Sequence, residues 1–123
     1  MLRIVGVQRN DSPEREFVLL QNQGSMRVNL RGHAVVSQSA FEGAHLCEVS
    51  HAFCDDIPVA PGLYVVLYTG EGSPGWRKSK DGTTVYHAYM GCDQPVWGRC
   101  SLPLHLLNTQ HTYAERGEPL MLR

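Results

Sequence analysis

Residues 16–24 read EFVLLQNQG, and residues 30–35 read LRGHAV. Large apolar and β-branched residues alternate with other residues in both stretches, and the breaks fall at Asn and Gly. The pattern predicts a strand, a turn at residues 22–24 and a second strand entered through Gly32. Residues 61–68, PGLYVVLY, add a third strand behind a Pro-Gly corner. These stretches indicate an all-β fold.

Short extended segments recur about every ten residues, separated by Gly, Pro, Asn and Asp, which is typical of an antiparallel sandwich or barrel. No stretch carries a convincing helical stripe. The strands predicted from this spacing are residues 2–7, 16–21, 34–37, 46–50, 63–68, 84–89, 102–107 and 112–115.

Alternation also predicts the core, because successive side chains of a strand point to opposite faces. Val66 and Leu107 break the alternation and indicate strands covered on both sides, or an edge. A chain of 123 residues has room for one core, so we expect a single domain spanning residues 1–123. The predicted inward positions are Ile4, Val18, Leu20, Val35, Leu63, Val65, Leu67, Leu104 and Leu106.

Composition excludes several classes of protein. Eleven Lys and Arg against twelve Asp and Glu give a net charge of -1, so no global field attracts phosphate backbones or anionic membranes. No apolar run approaches the roughly 18 residues of a membrane helix. Residues 1–9 lack a signal-peptide core, which predicts a cytoplasmic protein if Met1 is the true start. A chain excised from a larger secreted protein would instead be extracytoplasmic.

The order of these motifs resembles the lamin tail domain family. The resemblance covers the Glu-aromatic-Val strand at residues 16–18, Leu-x-Gly at residues 30–32, Pro-Gly before the central strand, and the late Trp97. His33 stands where the family has a tryptophan, and Gly98 where it has an asparagine. The resemblance implies an immunoglobulin-like β-sandwich of two mainly antiparallel sheets, with Trp97 in its packing.

The same resemblance implies a non-catalytic module that binds a protein partner or a neighbouring domain. In nuclear lamins such a module offers a surface to partner proteins, and DNA is a second proposed ligand of that surface. In bacteria, similar modules stand alone or accompany secreted or membrane-linked hydrolases, so an accessory domain of a larger hydrolase is an alternative. The chain has no heptad run, which excludes the lamin rod from it.

The best candidate for a partner surface lies in residues 70–82, predicted as one long loop without a helix. An exposed aromatic is a typical interface anchor, and cations beside it can contact phosphate or a single-stranded base, so nucleic acid is a lesser possibility through residues 76–80. Residues 70–75 match G-x-G-x-x-G, but no room remains for the helix that a nucleotide site needs, and no cofactor is predicted. The predicted partner-binding residues are Trp76, Arg77, Lys78 and Lys80.

A zinc-bearing domain is the second functional hypothesis. His45, Cys47, His51 and Cys54 are suitable ligands, but they lack the paired spacing of ordinary structural sites. Without an export signal we expect reduced thiols, although pairings such as Cys47 with Cys54 or Cys92 with Cys100 are conceivable. Neither G-x-S-x-G nor H-E-x-x-H occurs, so no catalytic residue is assigned and we expect a protein that is not an enzyme.

Overall fold

The computed structural model describes residues 1–39, 50–99 and 103–109. Extended segments dominate this part of the chain, and a short 3-10 turn, Trp97–Arg99, precedes the last of them. The strands are β1 (Leu2–Gln8), β2 (Phe17–Asn22), β3 (Val28–Asn29), β4 (His33–Ser37), β5 (Ser50–Ala52), β6 (Pro58–Val59), β7 (Tyr64–Tyr68), β8 (Gly75–Lys78), β9 (Thr84–Tyr89) and β10 (Leu104–Asn108).

The larger sheet has five strands in the order β1-β2-β7-β9-β8. Neighbouring strands are antiparallel except β7 and β9, which are parallel, with Tyr68 opposite Tyr89. Strand β7 is buried on both faces, since Val65 and Leu67 are fully covered and Val66 is 6% exposed. The break in alternation at Val66 therefore reflects a central strand.

The second layer is a three-stranded sheet, β10-β4-β5, accompanied by a two-stranded ribbon of β3 and β6. The sheets pack on a shared apolar core, so the predicted all-β sandwich is confirmed. Five predicted core residues are buried and four are partly buried against them. The first group is Val18, Leu20, Val35, Val65 and Leu67, and the second is Ile4, Leu63, Leu104 and Leu106.

Most strand predictions within the described residues are confirmed, and residues 84–89 match the bounds of β9. Residues 46–49 and 112–115 lie outside the described part, as does residue 102. The prediction that residues 70–82 form one loop is wrong, because β8 lies within them. No helix occurs in that segment, as expected. Strand β8 lacks apolar alternation because its side chains are mostly exposed, and β3 and β6 were missed because each has two residues.

No helix in the described part of the chain has the length and apolar character needed to cross a membrane.

Candidate functional site

A buried carboxylate ties the end of β7 to the 3-10 turn. Glu16 is fully buried and accepts hydrogen bonds from the Thr69 hydroxyl at 2.8 Å, the amides of Val96 and Trp97 at 2.9 Å each, and the Gly98 amide at 2.8 Å. Burial pushes the pKa of Glu16 upward, but these hydrogen bonds outweigh it and hold the pKa below the ordinary value. Glu16 is therefore an ionised structural group with its donors supplied by the chain.

The residues around this carboxylate fit closely. A Cβ atom at Gly98 would lie 3.1 Å from Glu16 Oε2 and 3.2 Å from the Asn10 carbonyl oxygen, so glycine suits the approach. Trp97 is fully buried, as the family resemblance implied, and its Nε1 has no acceptor among the described residues. His33, at the other position that departs from the family, is a buried core histidine whose Nδ1 lies 3.2 Å from the Leu30 carbonyl oxygen.

The candidate partner-binding residues lie on a hairpin at the edge of the larger sheet. The turn is closed by hydrogen bonds from the Gly82 amide to the Ser79 oxygen at 3.0 Å and from the Ser79 amide to the Thr83 oxygen at 2.7 Å. Gly82 has a φ of 88°, a left-handed conformation that glycine adopts without strain. This turn fixes the register of β8 against β9, in which Arg77 lies opposite Val85.

The register determines which backbone groups of β8 remain open. Hydrogen-bonded and non-hydrogen-bonded pairs alternate along an antiparallel ladder. Ser79 and Thr83 form a hydrogen-bonded pair, so Arg77, two residues earlier, is also bonded to β9. The amides and carbonyls of Trp76 and Lys78 lie at the non-bonded pairs and point away from β9. Because β8 has no outer neighbour within the described part of the chain, these groups face the open side of the sheet.

The side chains of β8 are also accessible. Trp76 is 39% exposed and contacts Tyr86 edge-on, with ring centroids 5.3 Å apart. Tyr86 is buried and donates a 2.7 Å hydrogen bond to Asp55; burial, with Asp55, raises the pKa of Tyr86 to about 12. Trp76 therefore lies on an ordered strand with a buried support. Lys78 and Lys80 are exposed.

The outer face of the larger sheet carries an aromatic cleft of about 400 Å³. The ring of Tyr68 stacks against Tyr89 and His87, with centroids 5.4 and 5.7 Å away, and Phe17 contacts it edge-on at 5.9 Å. Burial, together with the nearby Arg77, lowers the pKa of His87. The residues that line the cleft are Glu14, Tyr68, Gly70, Glu71, Arg77, His87 and Tyr89.

Sequence reasoning missed most of this cleft. Alternation within β9 predicts that His87 and Tyr89 share one face, but only the sheet order brings Tyr68 beside them. Arg77 belongs to both regions: it donates to the Tyr89 hydroxyl at 3.1 Å and to the Ser73 carbonyl at 2.6 Å. The cleft therefore adjoins the β8 edge.

The proposed zinc ligands are only partly within the described residues. His45 and Cys47 lie outside them, while His51 is half-buried and Cys54 is exposed. Burial lowers the pKa of His51, and Asp55 opposes that shift. Across residues 1–39, 50–99 and 103–109, no three His, Cys, Asp or Glu side chains form a metal-binding group.

The thiols of Cys54 and Cys92 are free in the structure. Burial raises the pKa of the Cys92 thiol, with smaller contributions from Asp93 and Glu16, so Cys92 is a poor nucleophile at neutral pH. Cys47 and Cys100 lie outside the described residues, so the pairings that involve them stay untested.

No protein-family model matches this chain, and no curated protein sequence matches it. The resemblance to the lamin tail domain stays a prediction.

Proposed function

We propose that this protein is a non-catalytic interaction module that binds an extended segment of a protein partner along β8. The observation that carries the proposal is the open edge itself, where the backbone groups of Trp76 and Lys78 point away from β9. An added strand would satisfy these groups by continuing the ladder, which is a common mode of peptide recognition.

The side chains around β8 favour an acidic segment. Arg77, Lys78 and Lys80 lie within four residues of one another, and Trp76 offers an aromatic surface beside them. Side chains alternate along β8, so Trp76 and Lys78 share one face and Arg77 lies on the other. Carboxylates of an added strand would meet Arg77 on its face, and apolar side chains would cover Trp76 and the stem of Lys78 on the opposite face. Lysine on an edge strand also hinders pairing with a second copy, so the edge selects its partner by charge.

Hydrogen exchange tests this proposal residue by residue. The probe is an eight-residue peptide that alternates Glu with Val, and its control replaces each Glu with Lys. We expect the acidic peptide to slow exchange of the Trp76 and Lys78 amides and to leave the Arg77 amide unchanged, because Arg77 already bonds to β9.

Two variants separate backbone pairing from charge. Lys78→Pro removes an amide that faces the open edge, which an edge strand tolerates, and should abolish the protection at Trp76. Lys78→Ala removes only the charge and should weaken binding about three- to tenfold, which corresponds to about 1 kcal/mol.

Three results would overturn the proposal. The first is unchanged exchange at Trp76 and Lys78 with the acidic peptide. The second is equal protection by the basic peptide. The third is saturable binding of single-stranded DNA at Arg77 and Lys78 with no binding of the acidic peptide, which would assign the edge to nucleic acid.

A further inference from the structure

The acidic wall of the aromatic cleft is built on two segments that the backbone ties together. The Gly70 amide donates to the Pro13 carbonyl at 2.9 Å, and the Thr69 amide donates to the Glu16 carbonyl at 3.1 Å. Glu14 follows Pro13 in the chain, and Glu71 follows Gly70. Their side chains therefore line the same end of the cleft on a fixed backbone.

Neither carboxylate of this wall is neutralised by the described part of the chain. Neither Glu14 nor Glu71 forms an ion pair there. The Ser12 hydroxyl donates to Glu14 at 2.5 Å and lowers the pKa of its carboxyl, with a smaller contribution from Arg15. The Glu14 carboxyl is therefore charged at neutral pH, and both Glu14 and Glu71 are open to solvent.

The floor of the cleft, formed by Tyr68, and its far wall, formed by Tyr89 and Arg77, are held by contacts within the chain. Tyr68 is packed between Phe17 and the rings of Tyr89 and His87. A Cβ atom at Gly72 would lie 2.3 Å from the Tyr89 ring, so the loop backbone lies directly against that ring. Two hydrogen bonds from Arg77 fix the loop and the Tyr89 hydroxyl. The two carboxylates outnumber the single guanidinium, and His87 has a lowered pKa that favours its neutral form.

We infer that this cleft receives a cationic side chain, the ammonium of a lysine or the guanidinium of an arginine, presented by a partner chain. The cationic group lies between Glu14 and Glu71, where charge-assisted hydrogen bonds replace its hydration. The aliphatic stem packs over the edge of Tyr68. This site goes beyond the β8 proposal, because it lies on the outer face of the sheet and selects the opposite charge.

Titration followed by amide chemical shifts tests the site with small probes. The probes are N-acetyl-arginine amide and N-acetyl-lysine amide, and the neutral control is N-acetyl-citrulline amide, which matches arginine in shape. We expect saturable shifts at the amides of Glu71 and Gly72 and at the Tyr68 ring protons for the cationic probes. The citrulline probe should bind at least about tenfold more weakly, equivalent to about 1.4 kcal/mol.

Charge removal gives the matched variants. The double variant Glu14→Gln with Glu71→Gln keeps the acceptor for Ser12 and should weaken the cationic probes at least about tenfold. Asp56→Asn removes an exposed carboxylate elsewhere, keeps an acceptor for Asn29, and should leave binding unchanged. Unchanged melting midpoints would show that all variants are folded.

Equal binding of arginine and citrulline probes would overturn the inference, and so would full binding by the double variant. Shifts confined to β8 would place the cationic contact elsewhere and reject the cleft. Failure here leaves the acidic-peptide result untouched, because the two experiments use probes of opposite charge and report on different amides.

Discussion

The two tryptophans of this chain lie in contrasting surroundings. Trp97 is fully buried, and its amide is one of the donors to the Glu16 carboxylate. Trp76 is 39% exposed on a strand whose outer edge has no neighbour among the described residues. Charged groups accompany both, but Glu16 is enclosed by donors whereas Lys78 and Lys80 reach into solvent.

The surroundings of Trp97 contribute to the stability of the fold, whereas those of Trp76 are suited to binding a partner. Around Trp97 the chain satisfies the buried carboxylate by itself, so an external ligand has little to gain there. Around Trp76 the backbone and the cations are left to water, so a partner can replace that water with hydrogen bonds. The buried Glu16 carboxylate is therefore a structural group, and the open edge of β8 is where we propose that a partner binds.

The largest expected effect is the removal of the buried carboxylate. Glu16→Ala leaves four backbone amides, those of Asn10 and residues 96–98, and the Thr69 hydroxyl without an acceptor. We therefore expect a loss of about 3 to 5 kcal/mol in the free energy of unfolding. Urea denaturation measures it. Glu71→Ala removes an exposed carboxylate and should change stability by less than about 0.5 kcal/mol. Equal losses in the two variants would erase the contrast between the regions.

Lowering the pH should show the contribution of the Glu16 carboxylate to stability in the unmodified protein. The pKa of Glu16 is lower in the folded state than its ordinary value of 4.5, so the unfolded chain takes up the proton first. The contribution to stability is complete above that value and is lost as the pH falls through the folded-state pKa. Urea midpoints measured from pH 6 to pH 3 should fall more steeply for the native protein than for Glu16→Gln. Parallel curves would exclude this role.

A pair of glycine substitutions sharpens the comparison at smaller cost. Gly98→Ala presses a methyl group against the Glu16 carboxylate and the Asn10 carbonyl, and should destabilise the fold by about 1 to 3 kcal/mol. Gly75→Ala meets no atom within 4 Å on β8. It should leave stability unchanged within about 0.5 kcal/mol or raise it slightly. Thermal melts would decide, and a costlier change at Gly75 would contradict the open space there.

Replacing the exposed tryptophan should affect binding more than folding. Trp76→Ala removes a ring that rests on Tyr86, so we expect it to cost less than about 1.5 kcal/mol in stability, near the value of one aromatic contact. The acidic peptide should bind at least about tenfold more weakly, as expected for an interface anchor. Loss of stability with unchanged peptide binding would make Trp76 a core residue instead.

The smallest expected effect is that of a chelator. We predict reduced, metal-free thiols, so EDTA should leave the melting midpoint unchanged. Thiol titration of the unfolded, non-reduced protein should find four reactive groups. Zinc should stay below about a tenth of an equivalent. Thiols that become reactive only after chelation would support a zinc site at His45, Cys47, His51 and Cys54, and two missing thiols would indicate a disulfide.

Period-two patterns carried the sequence prediction of the central strands. Val18 and Leu20 alternate within β2, Val65 and Leu67 within β7, and all four are buried. Strand β8 lacked that signal because an exposed edge strand needs no apolar face. Strand β8 is held in place by the turn at Gly82 and by its hydrogen bonds to β9. Neither feature produces a hydrophobic alternation in the sequence.

The candidate sites depended on contacts that the sequence does not encode locally. The sequence placed Trp76 and the neighbouring cations on the surface, but it did not show which backbone groups remain open. The cleft requires the parallel pairing of β7 and β9, whereas the pattern alone favoured mainly antiparallel neighbours. Similarly, the position of Glu16 before a strand does not reveal that the amides of residues 96–98 donate hydrogen bonds to its carboxylate.

The hydrogen bonds of Glu16 also constrain how the chain can fold. Four of them, from the Thr69 hydroxyl and the amides of residues 96–98, join residues separated by 53 to 82 positions. These four form only after long loops have closed, a topology associated with slow folding. During synthesis, β2 and β7 leave the ribosome well before Gly98. Until that residue emerges, the growing chain cannot bury the carboxylate with all of its native partners, and the second sheet is incomplete until β10 follows.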